Sequence, residues 1–313
     1  MRKKKYSDSN VVGTSLIVSV SDVVLNLIVG LFTGSTVIIA QSLQGLSDLI
    51  TAAILFVGVK RSRKKPDKKH PLGYGREIFF WVLLASVLMF MGTGLYTTYL
   101  GLGQIINPGE INNIGIGYIM LTFGLITNYY AFRKSNIRLR GRKRVSTWRV
   151  FKSSPLIETK ATFIVDILGT ISAIFGLVAV TLYAVTGFVQ FDGVGSVMVG
   201  LTMMIAAVVL VLDVRDLIVG KSVPIEITRK IRSTTLKHEE VEEILDLRTL
   251  YLGSEKIMIL LEVHLNEDMD TNGIEHLLDE IRLSIKTKIP QAYHLQIEVE
   301  TPDNELKIKS TLI

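Results

Sequence analysis

The 313-residue chain contains no cysteine. Disulfides, thiolate metal sites and cysteine nucleophiles are therefore excluded. Other marks of catalysis are missing as well. No nucleophile–base pair stands out, no glycine-rich phosphate loop, and no HExxH helix. Neither an enzyme nor a resident cofactor is expected. Histidine is scarce, with five in all. His238, His264, His276 and His294 share no ligand spacing and read as surface or half-buried residues. Basic residues are absent from three short connections: Gly34-Ser35, NPGEINN (107–113) and GFVQFD (187–192).

What is present is apolar. Hydrophobic residues make up 48% of the chain, and the mean hydropathy is +0.39. The apolar residues gather into six runs, 11–33, 36–60, 77–106, 112–133, 156–186 and 191–217. Each is about long enough for a bilayer, which takes roughly 20 residues. The N-terminus, MRKKKYSDSN, is basic and precedes an apolar run, as in a signal peptide. That run is too long for a signal segment and shows no cleavage site, so it reads as a retained first span. The net charge of +6 raises the question of nucleic acid. The basic residues sit at the ends of apolar runs, where topology accounts for them, so no nucleic-acid partner is expected. RKKK (2–5), KRSRKKPDKK (60–69) and RKSNIRLRGRKR (133–144) all fall on one side. That side is cytoplasmic by the positive-inside rule, and it holds both termini. With no targeting feature evident, the plasma membrane is the expected location.

Beyond Pro224 the pattern changes. ITRKIRSTTLKH reads as a helix, and VEEILDLRTLYL and KIMILLEVHL as strands joined at Gly253-Ser254. NGIEHLLDEIRLSIKTKI reads as a helix and AYHLQIEVE as a strand. The expected fold is an all-α, six-helix transmembrane domain (1–220) followed by a small α/β cytoplasmic domain (221–313) of ferredoxin-like αββαβ order. The small sheet leaves an edge and an apolar face suited to a second copy of the chain.

Carboxylates inside the apolar runs carry the functional signal. Such groups are costly in lipid and normally face a bundle interior or a watery cavity. Counting about 1.5 Å per residue, Asp22, Asp48 and Asp166 lie near mid-depth of the first, second and fifth spans. Each has a polar residue one turn away: Asn26, Gln44 and Thr162. Residues at i and i+4 share a helix face, so two such helices can surround one cation. The bland alternative is that these groups are hydrogen-bonding glue between helices. Glu158 lies two turns before Asp166 and marks a possible access path. Asp67 and His70 form a second candidate pair in the loop DKKHPLGYGRE. Asp213 and Asp216 flank Arg215 and read as an interfacial salt-bridge group.

TGS before the second helix, SLQGLSD within it, and PDKKHPLGYGREIFFW leading into the third resemble the cation diffusion facilitator family of divalent-metal transporters. The Asp of the fifth helix, DGVGSVMVG opening the sixth, and the α/β tail extend the resemblance over nearly the whole chain. FFW after GRE and IVGKSVP after the sixth helix resemble the branch that includes the ninth of the animal zinc transporters. The resemblance implies a homodimeric antiporter exchanging metal for protons by alternating access. It places a metal ion between the second and fifth helices. It also implies that the first, second, fourth and fifth helices sway against a scaffold of the third and sixth. Carried over, the metal residues are Asp48 and Asp166, with Gln44 and Thr162 at the first place of each pair. There the family usually has Asp or His. Asp22 and Asn26 are candidates to complete the set. The loop site maps onto Asp67 and His70, with Tyr74 in its third position. Tail metal positions fall on Leu245, Glu275 and Ile297, which departs from a ligand set.

The expected function is therefore efflux of a divalent metal ion against protons. Zinc leads from the resemblance. Manganese or iron(II) is favoured by a site of carboxylate, amide and hydroxyl oxygens, because zinc prefers imidazole and thiolate. The alternative is a transport-inactive relative acting as a dimer partner or regulatory membrane protein. Metal, protons, the lipid bilayer and a second copy of the chain are the expected partners.

Overall fold

The structure, a computed structural model, describes residues 8–140, 146–153, 156–266 and 269–302. It divides into two compact units: Met1–Val59 with Phe80–Val214, and Lys60–Phe79 with Arg215–Ile313.

The first unit is helical. α1 (Asp8–Thr33) and α2 (Thr36–Ser62) are followed by a third span built as α3 (Glu77–Leu88), a π-helical stretch (Met89–Gly94) and α4 (Leu95–Ile106). Then come α5 (Ile114–Arg140), the short α6 (Thr147–Ser153), α7 (Ile157–Thr186) and α8 (Gln190–Val219). Among the described residues, five helices are long and apolar enough to cross a membrane, and α1 adds a shorter apolar stretch, Val20–Thr33. Large apolar side chains such as Leu31, Phe56, Ile119 and Ile205 stay exposed on the outside. In a bilayer that outward band is solvated by lipid rather than water. The π-stretch and α6 were not expected from the sequence.

Two devices join these helices. The Asp192 carboxylate is fully buried at the start of α8. It accepts hydrogen bonds from Ser35 Oγ, from Thr36 N (2.6 Å) and Thr36 Oγ1 (2.7 Å), and from Val37 N (3.4 Å). The free N–H groups of the first turn of α2 are thus capped by a side chain from another helix. Along α4 and α8 the backbones themselves meet. A Cβ on Gly101 would lie 2.7 Å from Gly193 O, and a Cβ on Gly193 would lie 2.7 Å from Gly101 O. Buried Ser196 donates to Thr97 O at 3.3 Å across the same seam. Small residues permit this approach, which gains dispersion contact where no hydrophobic effect operates.

In the second unit, α9 (Ile225–Thr235), β1 (Val241–Gly253), β2 (Lys256–Leu265), α10 (Thr271–Lys288) and β3 (Ala292–Val299) follow in αββαβ order. The sheet runs β1-β2-β3, with β1/β2 antiparallel and β2/β3 parallel. α10 is the crossover that a parallel pair requires. Alternate residues of β2, from Ile257 to Leu265, are buried, as are Leu277, Ile281 and Ile285 on one stripe of α10. Asp270 caps α10, accepting from Gly273 N at 2.8 Å.

A linear boundary at residue 220 would leave loop 60–79 with the helices, yet it packs in the second unit. The reason is a backbone contact at the β1–β2 hairpin. A Cβ on Gly75 would collide with Leu252 O, and one on Gly253 would lie 3.0 Å from Gly75 O.

Candidate functional site

Within the helical unit a cavity of about 310 Å³ opens between α1, α2, α5 and α7. Asp22 and Asn26 line it from α1, Gln44 and Asp48 from α2, and Thr162 and Asp166 from α7. All six residues singled out from helix depth and spacing therefore meet at one cavity. α5 adds Thr127 and Asn128, and α2 adds Gln41. None of these three was expected. Their signal is weak in the sequence, because a lone amide or hydroxyl in an apolar span is more often packing glue.

The hydrogen bonds of the site run both along its helices and between them, where Ser135 of α5 meets Asp166 of α7. Asn26 Nδ2 donates to Asp22 O (2.9 Å) and to Asp22 Oδ1 (3.2 Å). Thr162 Oγ1 donates to Glu158 O at 3.0 Å, which leaves its lone pairs available. Gln44 is buried, and its Oε1 has no hydrogen-bond partner. Gln41 Nε2, one turn earlier, is likewise buried and unpartnered. Buried polar atoms normally find partners, so the Gln44 oxygen is an unused acceptor among residues that line the same cavity as Asp48 and Asp166. Among the described residues, no group of three or more His, Cys, Asp or Glu converges as a ligand set. Beside the Asp carboxylates, the oxygen-bearing side chains that line the cavity are amides and hydroxyls.

The other acidic candidates have structural partners. Lys160 of α7, almost fully buried, places Nζ 2.8 Å from Asp213 Oδ2 and 3.0 Å from Oδ1 on α8. The same ammonium lies 5.0 Å from the centre of the Phe151 ring of α6. Asp216 pairs with Arg215 (3.3 Å) and Lys221 (3.6 Å).

In loop 60–79, Asp67 organises a turn. Its Oδ2 accepts from Tyr74 Oη at 2.6 Å, and its Oδ1 accepts from the backbone N of Lys69 (3.0 Å) and His70 (2.8 Å). Lys64 Nζ stands 3.5 Å away, and the His70 and Tyr74 rings are 4.2 Å apart. The Tyr74 hydroxyl first, then the His70 amide and the Lys64 charge, hold the Asp67 carboxyl down at about 2, below its ordinary 3.8. Because the folded value is the lower one, this contribution to loop order is complete above pH ~4 and fades as pH falls toward ~2. Tyr74→Phe is expected to move Asp67 back up toward its ordinary value, read by a ¹³C-carboxyl titration. An unmoved Asp67 would assign the effect to the backbone amides. A metal at Asp67 and His70 would have to displace the tyrosine hydroxyl.

The tail histidines stay apart. His264 sits 3.3 Å from Glu242 and 3.1 Å from Glu300 O, while His238 is 4.0 Å from Glu280. Ile297 is buried in the sheet and Glu275 is exposed on α10.

Comparison with known proteins covers both units. The family model described as "Cation efflux transmembrane domain" matches residues 13–219, and "Cation efflux protein, cytoplasmic domain" matches 223–302. The human "Proton-coupled zinc antiporter SLC30A9, mitochondrial" is 24% identical over 237 residues, 74% of this chain and 42% of that one. The chain thus spans less than half the length of that relative. "Magnetosome protein MamB" of Magnetospira is 21% identical over 272 residues, 87% of this chain and 88% of that one. "Metal cation efflux system protein CzcD" of Cupriavidus metallidurans is 23% identical over 280 residues, 87% and 80% of the two chains.

Proposed function

The chain belongs to the cation efflux family, and on that premise we propose that it exports a divalent metal ion in exchange for protons. The observation that carries this reading is the shared cavity, which carboxylates from α1, α2 and α7 line together with Gln44, whose Oε1 has no hydrogen-bond partner. Asp48 and Asp166 supply the charge that a dication needs. Gln44 and Thr162 complete the site as neutral oxygen donors, with Asp22 and Asn26 beside them. Metal and protons compete for the same carboxylates, so binding of one releases the other. The α4–α8 glycine seam supports the third and sixth spans as the fixed scaffold.

Zinc is favoured by the similarity to a proton-coupled zinc antiporter. An all-oxygen donor set favours manganese or iron(II). The discriminating experiment is uptake into proteoliposomes under an imposed pH gradient, comparing zinc, manganese, iron(II) and cobalt. We expect uptake of at least one metal, driven by the gradient. Correctly inserted protein that moves none of them would favour the second reading, a transport-inactive dimer partner. The departures at Gln44 and Thr162 speak for that second reading.

We further propose a homodimer joined through the cytoplasmic domain. A monomer by light scattering in detergent would remove that part. Both termini are assigned to the cytoplasm and the protein to the plasma membrane. The cysteine-free chain makes this easy to check on intact cells. Asn107→Cys should react with an impermeant maleimide from outside, and Lys68→Cys only after permeabilisation. The reverse pattern would invert the topology.

A further inference from the structure

We propose that Asn128 of α5 is a ligand of the transported cation and biases the site toward hard, oxygen-preferring dications of the manganese type. The inference rests on the cavity being the transport site. Asn128 lines the same cavity as Asp48 and Asp166, from a helix that carries none of the carboxylates. Its position is set by Gly169 of α7, three residues after Asp166 and hence on a neighbouring part of the same helix face. A Cβ on Gly169 would lie 2.8 Å from Asn128 Oδ1 and 3.2 Å from Gln44 Nε2. Two carboxamides, from α5 and α2, therefore meet over bare backbone one turn from Asp166. The buried Gln44 Oε1 has no protein partner, so this amide pair retains an acceptor for a cation or its water.

The chemistry follows from the donors. Two carboxylates balance a dication. Two amide oxygens and the Thr162 hydroxyl add neutral hard ligands, and the cavity has room for water beside them. More oxygen donors suit an ion that accepts six-coordination. Zinc gains less, since it settles for four and favours nitrogen or sulfur. A residue that only fills space between α5 and α7 would affect all metals alike, and that difference is what can be measured.

The test is calorimetric binding of manganese and zinc chlorides to the full chain in detergent. Asp48→Asn serves as the reference variant. Asn128→Ala is expected to weaken manganese about 10- to 100-fold, the range for losing a supporting metal interaction, with a smaller loss for zinc. Asn128→Asp, which keeps an oxygen in place, is expected to retain manganese binding. Gly169→Ala, which displaces both carboxamides, is expected to repeat the selective loss. Equal losses for the two metals, a larger loss for zinc, or no loss in Asn128→Ala would overturn the proposal. If Asp48→Asn loses binding in that case, the cavity still stands as the transport site. If Asp48→Asn binds both metals like the wild type, the transport-site reading fails and this inference falls with it.

Discussion

Asp48→Asn is expected to reduce metal uptake by at least about 100-fold, since even outer partners of metal ligands are worth about 10- to 100-fold. The substitution preserves shape and removes one of two carboxylates that line the cavity from α2 and α7. A dication would then face a single nearby charge from that pair. Because the side-chain volume is unchanged, the variant should insert and melt like the wild type. Loss of uptake at unchanged melting temperature therefore reports on the site. Thr162→Ala is expected to have a milder effect, because a neutral donor contributes no charge and water can replace it. An Asp48→Asn protein that transports like the wild type would place the metal path elsewhere.

Lys160→Ala is expected to destabilise the helical unit by about 3 kcal/mol, the lower end of the range for breaking a buried ion pair. The lower end applies because the Asp213 side chain keeps 14% exposure, whereas that of Lys160 keeps 2%. The variant removes the ammonium that pairs with the Asp213 carboxylate of α8, and with it the cation above Phe151. Melting followed by tryptophan fluorescence should fall by roughly 6–12 °C, at about 2–4 °C per kcal/mol for a unit of this size. The double variant Lys160→Met/Asp213→Leu is expected to recover most of the loss, as apolar replacements of buried pairs often do. Equal losses in the single and double variants would assign the effect to packing volume rather than charge.

Much of this architecture is legible in the sequence because lipid imposes a blunt requirement. A spanning helix must be apolar for its whole length, so α2, α7 and α8 lie close to their apolar runs. KIMILLEVHL coincides with β2 because a strand buried on one face must alternate. The carboxylates could be placed by depth, since an Asp amid lipid-facing residues has few roles. What escaped depends on partners distant in sequence. Asp192 reads as the end of a loop until Ser35 and Thr36 are brought to it. Nothing in the sequence around Lys160 announces that Asp213 lies beside it. Asn128, in ITNYY, carries no sign that Gly169 leaves room for it. The π-stretch at Met89–Gly94 changes hydrogen-bond spacing without changing composition. α6 is too short for periodicity to declare itself.

The Asp192 clamp on the first turn of α2 also makes that helix a lever with a fixed end. At about 1.5 Å per residue, Asp48 stands about 18 Å from the pivot and Val59 about 35 Å from it. A tilt of about 10° about that pivot would carry Asp48 through about 3 Å and Val59 through about 6 Å. The same rotation would carry the far end about twice as far as it carries Asp48. Any movement of α2 hinged at Asp192 is therefore asymmetric. The clamped end moves least, and the amplitude grows steadily toward the end that carries Lys60 and Arg61.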